Sequence, residues 1–320
     1  MEELRNKRIL VTGATGFIGS HLTRRLVQLG GKVSIILRKN SDTSKISDIL
    51  PYIDCHFADL RDFPNVKDVI HAIQPQKVFH LAAFTDVART FSNIEEIVDT
   101  NIKGTANLLC SLEGINYDCF VNTGTCEEYG DNPAPFREDQ LPNPVSPYSA
   151  SKSAATLFCQ FFHKIMGSPI ATVRPFLSYG PYQDQNRFIP QAIIAALEDK
   201  PFQMTGGEQT RELNYVSDIV SGFIKASVTK IAIGEIINIG NGIEYQLKDV
   251  VRKIFSIIGN SSQPLIGALP YRPGEAWHFY CDNSKAKKLL HWKPEIDLDT
   301  GLKMTIEWYQ KNMTLSRSSR

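Results

Sequence analysis

Residues 8–19 read RILVTGATGFIG, an apolar run that ends in three regularly spaced glycines, Gly13, Gly16 and Gly19. The run is rich in branched aliphatic residues, which is typical of a buried strand. Apolar residues then recur at helical spacing over about 17–29. Glycines between a strand and a helix allow a tight turn and bring the backbone close to a pyrophosphate at the helix N-terminus. The stretch therefore predicts a dinucleotide-binding unit rather than an ordinary glycine-rich turn.

The alternation of strand and helix continues to about residue 175. Further strands are predicted at 33–37, 53–57, 78–81, 119–122 and 170–174, and further helices at 65–73, 93–113 and 148–166. Such alternation implies right-handed crossovers and a doubly wound parallel sheet. We predict a Rossmann-type α/β fold with an NAD(P)-binding domain at 1–175. An interleaved, smaller α/β substrate-binding lobe at 176–312 and a flexible polar tail at 313–320 complete the predicted organisation.

Composition and charge exclude several classes of partner. The chain has 320 residues and a net charge of +1, so no bulk charge attracts nucleic acid or an anionic membrane. The N-terminus lacks the apolar stretch of a signal peptide, and no apolar run is long enough to span a membrane. The six cysteines are scattered without a CxxC pair, which disfavours a disulfide scaffold and a metal site. We expect a cytoplasmic protein with reduced thiols and no metal.

The end of the second strand bears on the choice of dinucleotide. NAD-binding units place an acidic residue there to hold the ribose 2′-OH, whereas this chain has Arg38 and Lys39 after Leu37. The guanidinium of Arg38 could pair with a 2′-phosphate. NADP(H) is therefore favoured and NAD(H) is possible. The alternative is that Arg38 is a solvated cation or stacks on the adenine of NAD.

Tyr148 and Lys152 lie four positions apart on a predicted helix, so both side chains share one face. A phenol with a pKa near 10 is a poor acid or base at neutral pH unless its phenolate is stabilised. The ammonium of Lys152 and a nearby positive nicotinamide would supply that stabilisation. Elsewhere, Asp59 could reach the adenine. The candidate cofactor-binding residues are Gly13, Thr15, Gly16, Phe17, Ile18, Gly19, Arg38, Asp59, Leu60, Leu81, Ala82, Ala83, Tyr148 and Lys152.

These motifs resemble those of the extended short-chain dehydrogenases, in the nucleotide-sugar epimerase/dehydratase family. TGATGFIG, HLAA, the T-x-x-x-YG end of the fifth strand and YSASK follow in the family's order, and RPFLSYGP and RELNYVSD come after them. The resemblance spans about residues 6–310. It implies a nucleotide-diphosphate sugar as substrate and hydride exchange at sugar C4. It also implies a homodimer through paired helices, for which 93–113 and 148–166 carry surplus apolar residues.

The resemblance also implies roles for five residues near the fifth strand and the following helix. Tyr148 would be the acid/base for the sugar hydroxyl. Lys152 would hold the nicotinamide ribose and lower the tyrosine pKa, and Thr125 would share the hydrogen bond to the reacting oxygen. Cys126 and Glu127 would face the sugar, although a small buried thiol is the alternative for Cys126.

The candidate substrate-binding residues are Phe84, Thr125, Leu177, Arg211 and Arg272. By the resemblance, Arg211 and Arg272 would bind the diphosphate or the nucleotide ribose. Guanidinium groups suit phosphate oxygens, but they also form surface ion pairs. Leu177 stands where the family usually has an asparagine that contacts the substrate phosphate.

The residues after Thr125 help to distinguish the dehydratases, 4-epimerases and reductases of the family. Dehydratases follow this threonine with Asp-Glu or Ser-Glu, but here Cys126 precedes Glu127, and a thiol is a weak hydrogen-bond donor. Four-epimerases hold NAD tightly, which Arg38 does not favour. The sequence EEYG at 127–130 is similar to that of 4-keto-6-deoxysugar reductases, which consume NADPH.

We therefore expect a reductase of an NDP-4-keto-6-deoxyhexose, with an NDP-sugar 4-epimerase or a 4,6-dehydratase as alternatives. A dinucleotide-sensing regulator without activity is disfavoured. Such regulators typically lose the tyrosine or the lysine, and this chain keeps both Tyr148 and Lys152.

Overall fold

A computed structural model of the chain describes residues 2–86 and 89–318. The strands are, in chain order, β1 (Arg8–Thr12), β2 (Lys32–Leu37), β3 (Ile53–Phe57), β4 (Lys77–His80), β5 (Cys119–Thr123), β6 (Ile170–Pro175), β7 (Ser178–Tyr179), β8 (Phe202–Met204), β9 (Thr210–Glu212), β10 (Asn214–Tyr215), β11 (Ile236–Ile239), β12 (Glu244–Gln246) and β13 (Pro264–Ile266). The α-helices are α1 (Phe17–Gln28), α2 (Phe63–Ile73), α3 (Ile94–Ile97), α4 (Gly104–Ser111), α5 (Pro147–Met166), α6 (Phe188–Leu197), α7 (Val216–Val228), α8 (Leu247–Ile258), α9 (Ser284–Leu290) and α10 (Leu298–Ser318).

Seven of these strands form one parallel sheet, in the order β11-β6-β5-β4-β1-β2-β3. The strand order reverses between β1 and β4, where the crevice of a doubly wound sheet opens at the carboxyl ends of the strands. The predicted Rossmann-type fold is confirmed. No helix among residues 2–86 and 89–318 is long and apolar enough to cross a membrane.

Helices cover both faces of the sheet, which explains why its inner strands read as continuous apolar runs. On one face, Leu22 and Leu26 of α1 share a core with Ile219 and Phe223 of α7. On the other face, α2, α4 and α5 supply a second core. Burial of these apolar side chains on both sides of the sheet fixes the positions of the strand ends that form the crevice.

A smaller lobe packs beside the sheet around its own apolar core. Ile193 of α6, Ile254 of α8 and Ile306 of α10 belong to that core. The chain leaves the main sheet after β6 and returns to it as β11. Helix α10 extends to Ser318 and so enters the segment predicted as a tail. The domain boundary at 175/176 and the flexibility of 313–320 stay predictions.

The single helix predicted over 93–113 is interrupted by a π-helical segment, Val98–Lys103, between α3 and α4. The segment contains Asn101, which is buried. The amide of Asn101 accepts from the Phe84 backbone N–H at 2.8 Å and donates to the Ser151 hydroxyl at 2.8 Å. The departure from α-helical geometry thus accompanies a polar contact that apolar spacing cannot predict.

Candidate active site

A cavity of about 620 Å³ opens at the carboxyl ends of the parallel strands. All the predicted cofactor-binding residues line its wall. The other predicted residues on the wall are Phe84, Thr125, Cys126, Glu127 and Leu177. The sheet therefore brings together residues that are more than 160 positions apart in the chain.

The glycine loop forms one end of this cavity. Gly13 has a φ of +73°, and a Cβ there would lie 2.6 Å from the Ala82 backbone nitrogen. A Cβ on Gly19 would lie 2.0 Å from the Gly13 carbonyl oxygen. Gly16 is the N-cap of α1 and has no side chain to cap the helix, so the first N–H groups of the helix are available to an anion. These features fit the pyrophosphate of a dinucleotide.

A buried hydrogen-bond network holds the loop to the sheet. The Thr12 hydroxyl lies 2.7 Å from His80 Nδ1 and accepts from the Ala82 N–H at 3.2 Å. His80 Nε2 lies 2.9 Å from the Thr105 hydroxyl. Burial lowers the pKa of His80 to about 3, with a further contribution from the charge of Lys152. His80 is therefore neutral at physiological pH and acts as a bridge between β1, β4 and α4.

The part of the cavity wall that the predicted cofactor-binding residues line is called the cofactor wall. Its other end lies beyond β2. Ser41 and Lys45 line the wall there together with Arg38, although no motif spacing identifies them. Asp59 is also on the wall, but Arg61 Nη2 donates to its carboxylate at 2.6 Å. This hydrogen bond lowers the pKa of Asp59. The predicted contact of Asp59 with adenine therefore competes with a solvent-exposed ion pair between Asp59 and Arg61.

Tyr148 and Lys152 face the cavity from the first turns of α5. The helix begins at a capping box in which the Ser146 hydroxyl accepts from the Ser149 N–H. Lys152 is 2% exposed. Burial lowers the pKa of Lys152, and the nearby Glu128 carboxylate opposes that shift. Burial raises the pKa of Tyr148, and a hydrogen bond with the Thr125 side chain acts in the opposite direction.

Thr125 follows β5 and caps a short 3₁₀-helix, Cys126–Tyr129. Its hydroxyl accepts from the Glu127 N–H at 3.3 Å, and its own N–H donates to the Glu128 carboxylate at 2.8 Å. The cap fixes Thr125 with its hydroxyl near Tyr148. A hydroxyl pair in this arrangement can hold and protonate a carbonyl oxygen.

Glu127 lines the cavity and lies near three arginines. Burial raises the pKa of Glu127, whereas the charges of Arg211, Arg89 and Arg187 oppose the shift. Arg187 itself lines the cavity. The Glu127 carboxylate is thus balanced by cations from three separate segments: Arg211 on β9, Arg187 before α6, and Arg89 in a loop.

Cys126 is buried in an aromatic cluster that includes Tyr129, Phe136, Phe176 and Phe279. Burial raises the pKa of the Cys126 thiol well above its ordinary value. The thiol therefore remains protonated and packs as a small apolar side chain, even though one side of it reaches the cavity wall.

Arg211 and Arg272 are not on the cavity wall. The Arg211 guanidinium donates to the Ala276 carbonyl at 2.7 Å and is paired with Glu275. Arg272 is exposed. Their predicted role in binding the diphosphate stays a prediction.

Sequence reasoning missed several residues on the wall: Ser41, Lys45, Tyr182, Gln183, Asp184 and Arg187. None of them has motif spacing: Lys45 lies in a short 3₁₀-helix, Ser44–Ile46, and the others lie in loops. A polar stretch after β2 and the GPYQDQNR segment at 180–187 were the only signals available.

Comparisons with known proteins identify the family to which the chain is similar. The family model described as GDP-mannose 4,6 dehydratase matches residues 10–305. The chain is 32% identical to UDP-glucuronate 4-epimerase of Thermodesulfobacterium geofontis, over 97% of this chain and 98% of that protein. It is 31% identical to dTDP-glucose 4,6-dehydratase of Haemophilus influenzae, over 96% of this chain and 99% of that protein.

A solved structure shows the same fold with ligands bound. The UDP-glucuronic acid 4-epimerase from Bacillus cereus, in complex with UDP-glucuronic acid and NAD, has a TM-score of 0.85 and 32% identity, and the match covers 95% of this chain and 99% of that one. The chain belongs to the nucleotide-sugar epimerase/dehydratase family of extended short-chain dehydrogenases and is an NAD(P)-dependent enzyme of that kind.

Proposed function

We propose that the chain is a reductase of an NDP-4-keto-6-deoxyhexose, which reduces the sugar at C4 and consumes NADPH. The observation that carries this proposal is the group of Arg38, Ser41 and Lys45 on the cavity wall beyond β2. Two cations and a hydroxyl suit a ribose 2′-phosphate. A preference for NADPH favours net reduction of the sugar over an epimerase reaction, in which the cofactor returns the hydride to the sugar within one turnover.

Cys126 supports reduction over dehydration. In dehydratases of this family, a residue at this position assists loss of the C6 hydroxyl while the adjacent glutamate removes the C5 proton. The buried Cys126 thiol is protonated because burial raises its pKa, and a thiol is a weak donor. Glu127 can still remove the C5 proton, but no second group then assists loss of the C6 hydroxyl.

The residues of the chain supply the proton for the reduction. When bound, NADPH supplies the hydride that reaches C4 of the keto sugar. The Tyr148 phenol donates its proton to the C4 oxygen, and the Thr125 hydroxyl holds the same oxygen. The Lys152 ammonium stabilises the tyrosinate that remains until a proton returns from solvent. One carbonyl, one hydride and one proton give one hydroxyl.

The experiment follows NADPH absorbance with a panel of NDP-4-keto-6-deoxyhexoses. We expect one NADPH oxidised per product, and loss of the reaction in Tyr148→Phe by about 100-fold or more. Tyr117→Phe is the matched control, since Tyr117 is a partly buried tyrosine that does not line the cavity. Tightly retained NAD and no net consumption would contradict the proposal.

The cofactor preference has its own test in the affinity for NADPH and NADH. We expect Arg38→Ala and Lys45→Ala each to raise the Kd of NADPH about tenfold, because each removes a charge-assisted contact with the 2′-phosphate. The Kd of NADH should change little. Lys39→Ala is the control because Lys39 neighbours Arg38 but is not on the wall. If Arg38→Ala raised the Kd of NADPH and of NADH equally, Arg38 would contact the adenine and not the 2′-phosphate.

A 4-epimerase that retains NAD is the second candidate. It is supported by the 32% identity to UDP-glucuronate 4-epimerase of Thermodesulfobacterium geofontis. The Tyr148, Lys152 and Thr125 arrangement serves that reaction as well, since the same groups can move the proton in either direction. Conversion of an NDP-sugar to its C4 epimer without cofactor consumption would support this candidate.

We further propose that the enzyme is a homodimer that pairs through α5. Leu157, Phe161 and Ile165 are spaced at four residues and are 59%, 52% and 62% exposed. Ile94 and Val98 are also exposed. Of the other apolar residues in the predicted interface, Phe158 is exposed, Phe162 is partly buried, and Ile97, Leu108 and Leu109 are buried in the fold.

An apolar stripe with this spacing suits a second copy of the same helix. Light scattering after size exclusion tests the assembly. We expect Phe161→Glu to convert a dimer to a monomer and Lys164→Glu, on the same helix, to leave the mass unchanged. A monomeric parent protein would refute the dimer.

A further inference from the structure

The Glu128 carboxylate has no solvent exposure and accepts four hydrogen bonds. Oε1 accepts from the Thr125 N–H at 2.8 Å and from the Thr156 hydroxyl at 3.2 Å. Oε2 accepts from Arg174 Nε at 3.1 Å and Nη2 at 2.7 Å. The carboxylate is thus saturated by donors from three other residues.

The three donors lie on the three elements that meet at the reacting centre. Thr125 lies two residues after the end of β5, and Arg174 lies on β6. Thr156 lies one helical turn after Lys152 on α5, so both side chains share one face. Glu128 therefore connects the strand end that holds the Thr125 hydroxyl to the helix that carries Tyr148.

Neighbouring residues leave space for the Glu128 carboxylate and extend its contacts. A Cβ on Gly124 would lie 2.6 Å from Glu128 Oε1, so a glycine is needed for the carboxylate to reach the Thr125 N–H. The Arg174 guanidinium lies 4.6 Å from the centre of the Tyr129 ring. The Tyr129 hydroxyl donates to Asn238 at 2.7 Å. The contacts of Glu128, Arg174, Tyr129 and Asn238 therefore extend from the active site to β11.

We propose that Glu128 is a positioning residue, whose carboxylate fixes Thr125 and α5 so that the Thr125 hydroxyl meets Tyr148. The proposal rests on the proposed function, because it gives Glu128 a role in the proton transfer by Tyr148. It assigns no contact between Glu128 and the substrate or the cofactor.

The negative charge of Glu128 also acts on the two titrating groups. It raises the pKa of Lys152 and the pKa of Tyr148. Removal of the charge should therefore lower the pKa of both groups and shift the basic limb of the activity profile to lower pH. A residue that only stabilised the fold would not move this limb.

Two variants separate positioning from stability. In Glu128→Gln, the amide oxygen can still accept from Thr125, but Arg174 loses its ion-pair partner. In the double variant with Glu128→Val and Arg174→Met, the whole pair becomes apolar, a change that buried ion pairs often tolerate. Lys77→Met is the control for loss of a buried charge, because Lys77 is the first residue of β4 and so lies at the amino ends of the strands, away from the cavity at their carboxyl ends.

In the double variant we expect kcat to fall about 10- to 100-fold while KM stays within about threefold, because misplacement of a catalytic group acts mainly on the chemical step. Its thermal midpoint should stay close to that of the parent. Glu128→Gln should recover part of kcat but shift the profile to lower pH. Lys77→Met should leave kcat and the profile unchanged. An unchanged kcat in the double variant would overturn the proposal.

A second measurement does not depend on turnover. The tyrosinate absorbance of Tyr148, obtained by subtracting a titration of Tyr148→Phe in saturating NADP⁺, should appear at lower pH in Glu128→Gln than in the parent. Identical titrations would overturn the proposed electrostatic effect. If the parent reduces no keto sugar but the titrations still differ, the proposed function fails and the coupling of Glu128 to Tyr148 stands.

Discussion

The two walls of the cavity are built in different ways. The cofactor wall consists of strand ends and the glycine loop, and every residue that motif spacing singled out for it lies there. The rest of the wall, where we propose that the nucleotide sugar binds, is called the substrate wall. It includes Tyr182 and Arg187, which no motif identified, and lacks Arg211 and Arg272, which the family resemblance suggested.

The difference follows from how each wall is held. Parallel strands end at a common edge, so a short motif at a strand end suffices to place a residue on the cofactor wall. The segment around Tyr182 is placed by distant contacts instead. The Tyr182 ring lies 5.0 Å from that of Trp308, and the Tyr309 hydroxyl donates to the Gln183 carbonyl at 2.9 Å. The substrate wall thus depends on the docking of α10, which local sequence does not encode.

The largest effect is expected from breaking the cofactor wall at Gly19. A Cβ there would lie 2.0 Å from the Gly13 carbonyl oxygen, so Gly19→Ala must displace the loop that approaches the pyrophosphate. We expect the Kd of NADPH, measured by fluorescence, to rise about 100-fold, which corresponds to about 2.8 kcal/mol.

The control for this variant is Gly114→Asn. Gly114 also has a positive φ, of +76°, but a Cβ there would meet nothing within 4 Å, and asparagine tolerates this backbone region. The Kd should stay within about twofold of the parent in this control. Normal NADPH binding in Gly19→Ala would mean that the loop relaxes without cost to the cofactor.

A smaller effect is expected from breaking the substrate wall at Arg187. Because Arg187 lines the cavity close to Glu127, Arg187→Ala should raise the KM of the nucleotide sugar about tenfold through loss of a charge-assisted contact. The Kd of NADPH should not change. Steady-state kinetics and cofactor titration on one preparation measure both.

Arg272→Ala sharpens the same comparison, since Arg272 is exposed and off the wall. We expect its KM to stay within about twofold of the parent. A larger effect for Arg272 than for Arg187 would show that the 268–279 loop closes on the substrate, and would restore the role that the resemblance suggests.

Sequence alone was enough for the fold and for most of the cofactor wall. The strand and helix periods predicted the sheet, and the Tyr148–Lys152 spacing predicted the pair on α5. It was not enough for Lys45 or Glu128. Lys45 reaches the wall from a short 3₁₀-helix, Ser44–Ile46, which has no motif spacing. The role of Glu128 depends on Arg174, a partner 46 residues away, so the motif EEYG gave no sign of which glutamate is buried.

The effect that is smallest at neutral pH concerns His80, because it vanishes there and grows only as the pH falls. Burial lowers the pKa of His80 to about 3 in the folded protein, whereas the unfolded chain titrates near 6.5. As the pH falls, the unfolded state therefore binds the proton first. The contribution of His80 to the free energy of unfolding then falls as the pH drops from about 6.5 towards about 3.

Relative to His80→Gln, the free energy of unfolding of the parent should decline by about 1.4 kcal/mol per pH unit in that range and run parallel above it. Denaturant unfolding between pH 7.5 and pH 4.5 measures this difference, and His21 and the buried carboxylates cancel because both proteins contain them. Parallel curves throughout would mean that the network around Thr12 and Thr105 accepts a charged imidazole. The cofactor wall would then be held less rigidly than its hydrogen bonds indicate.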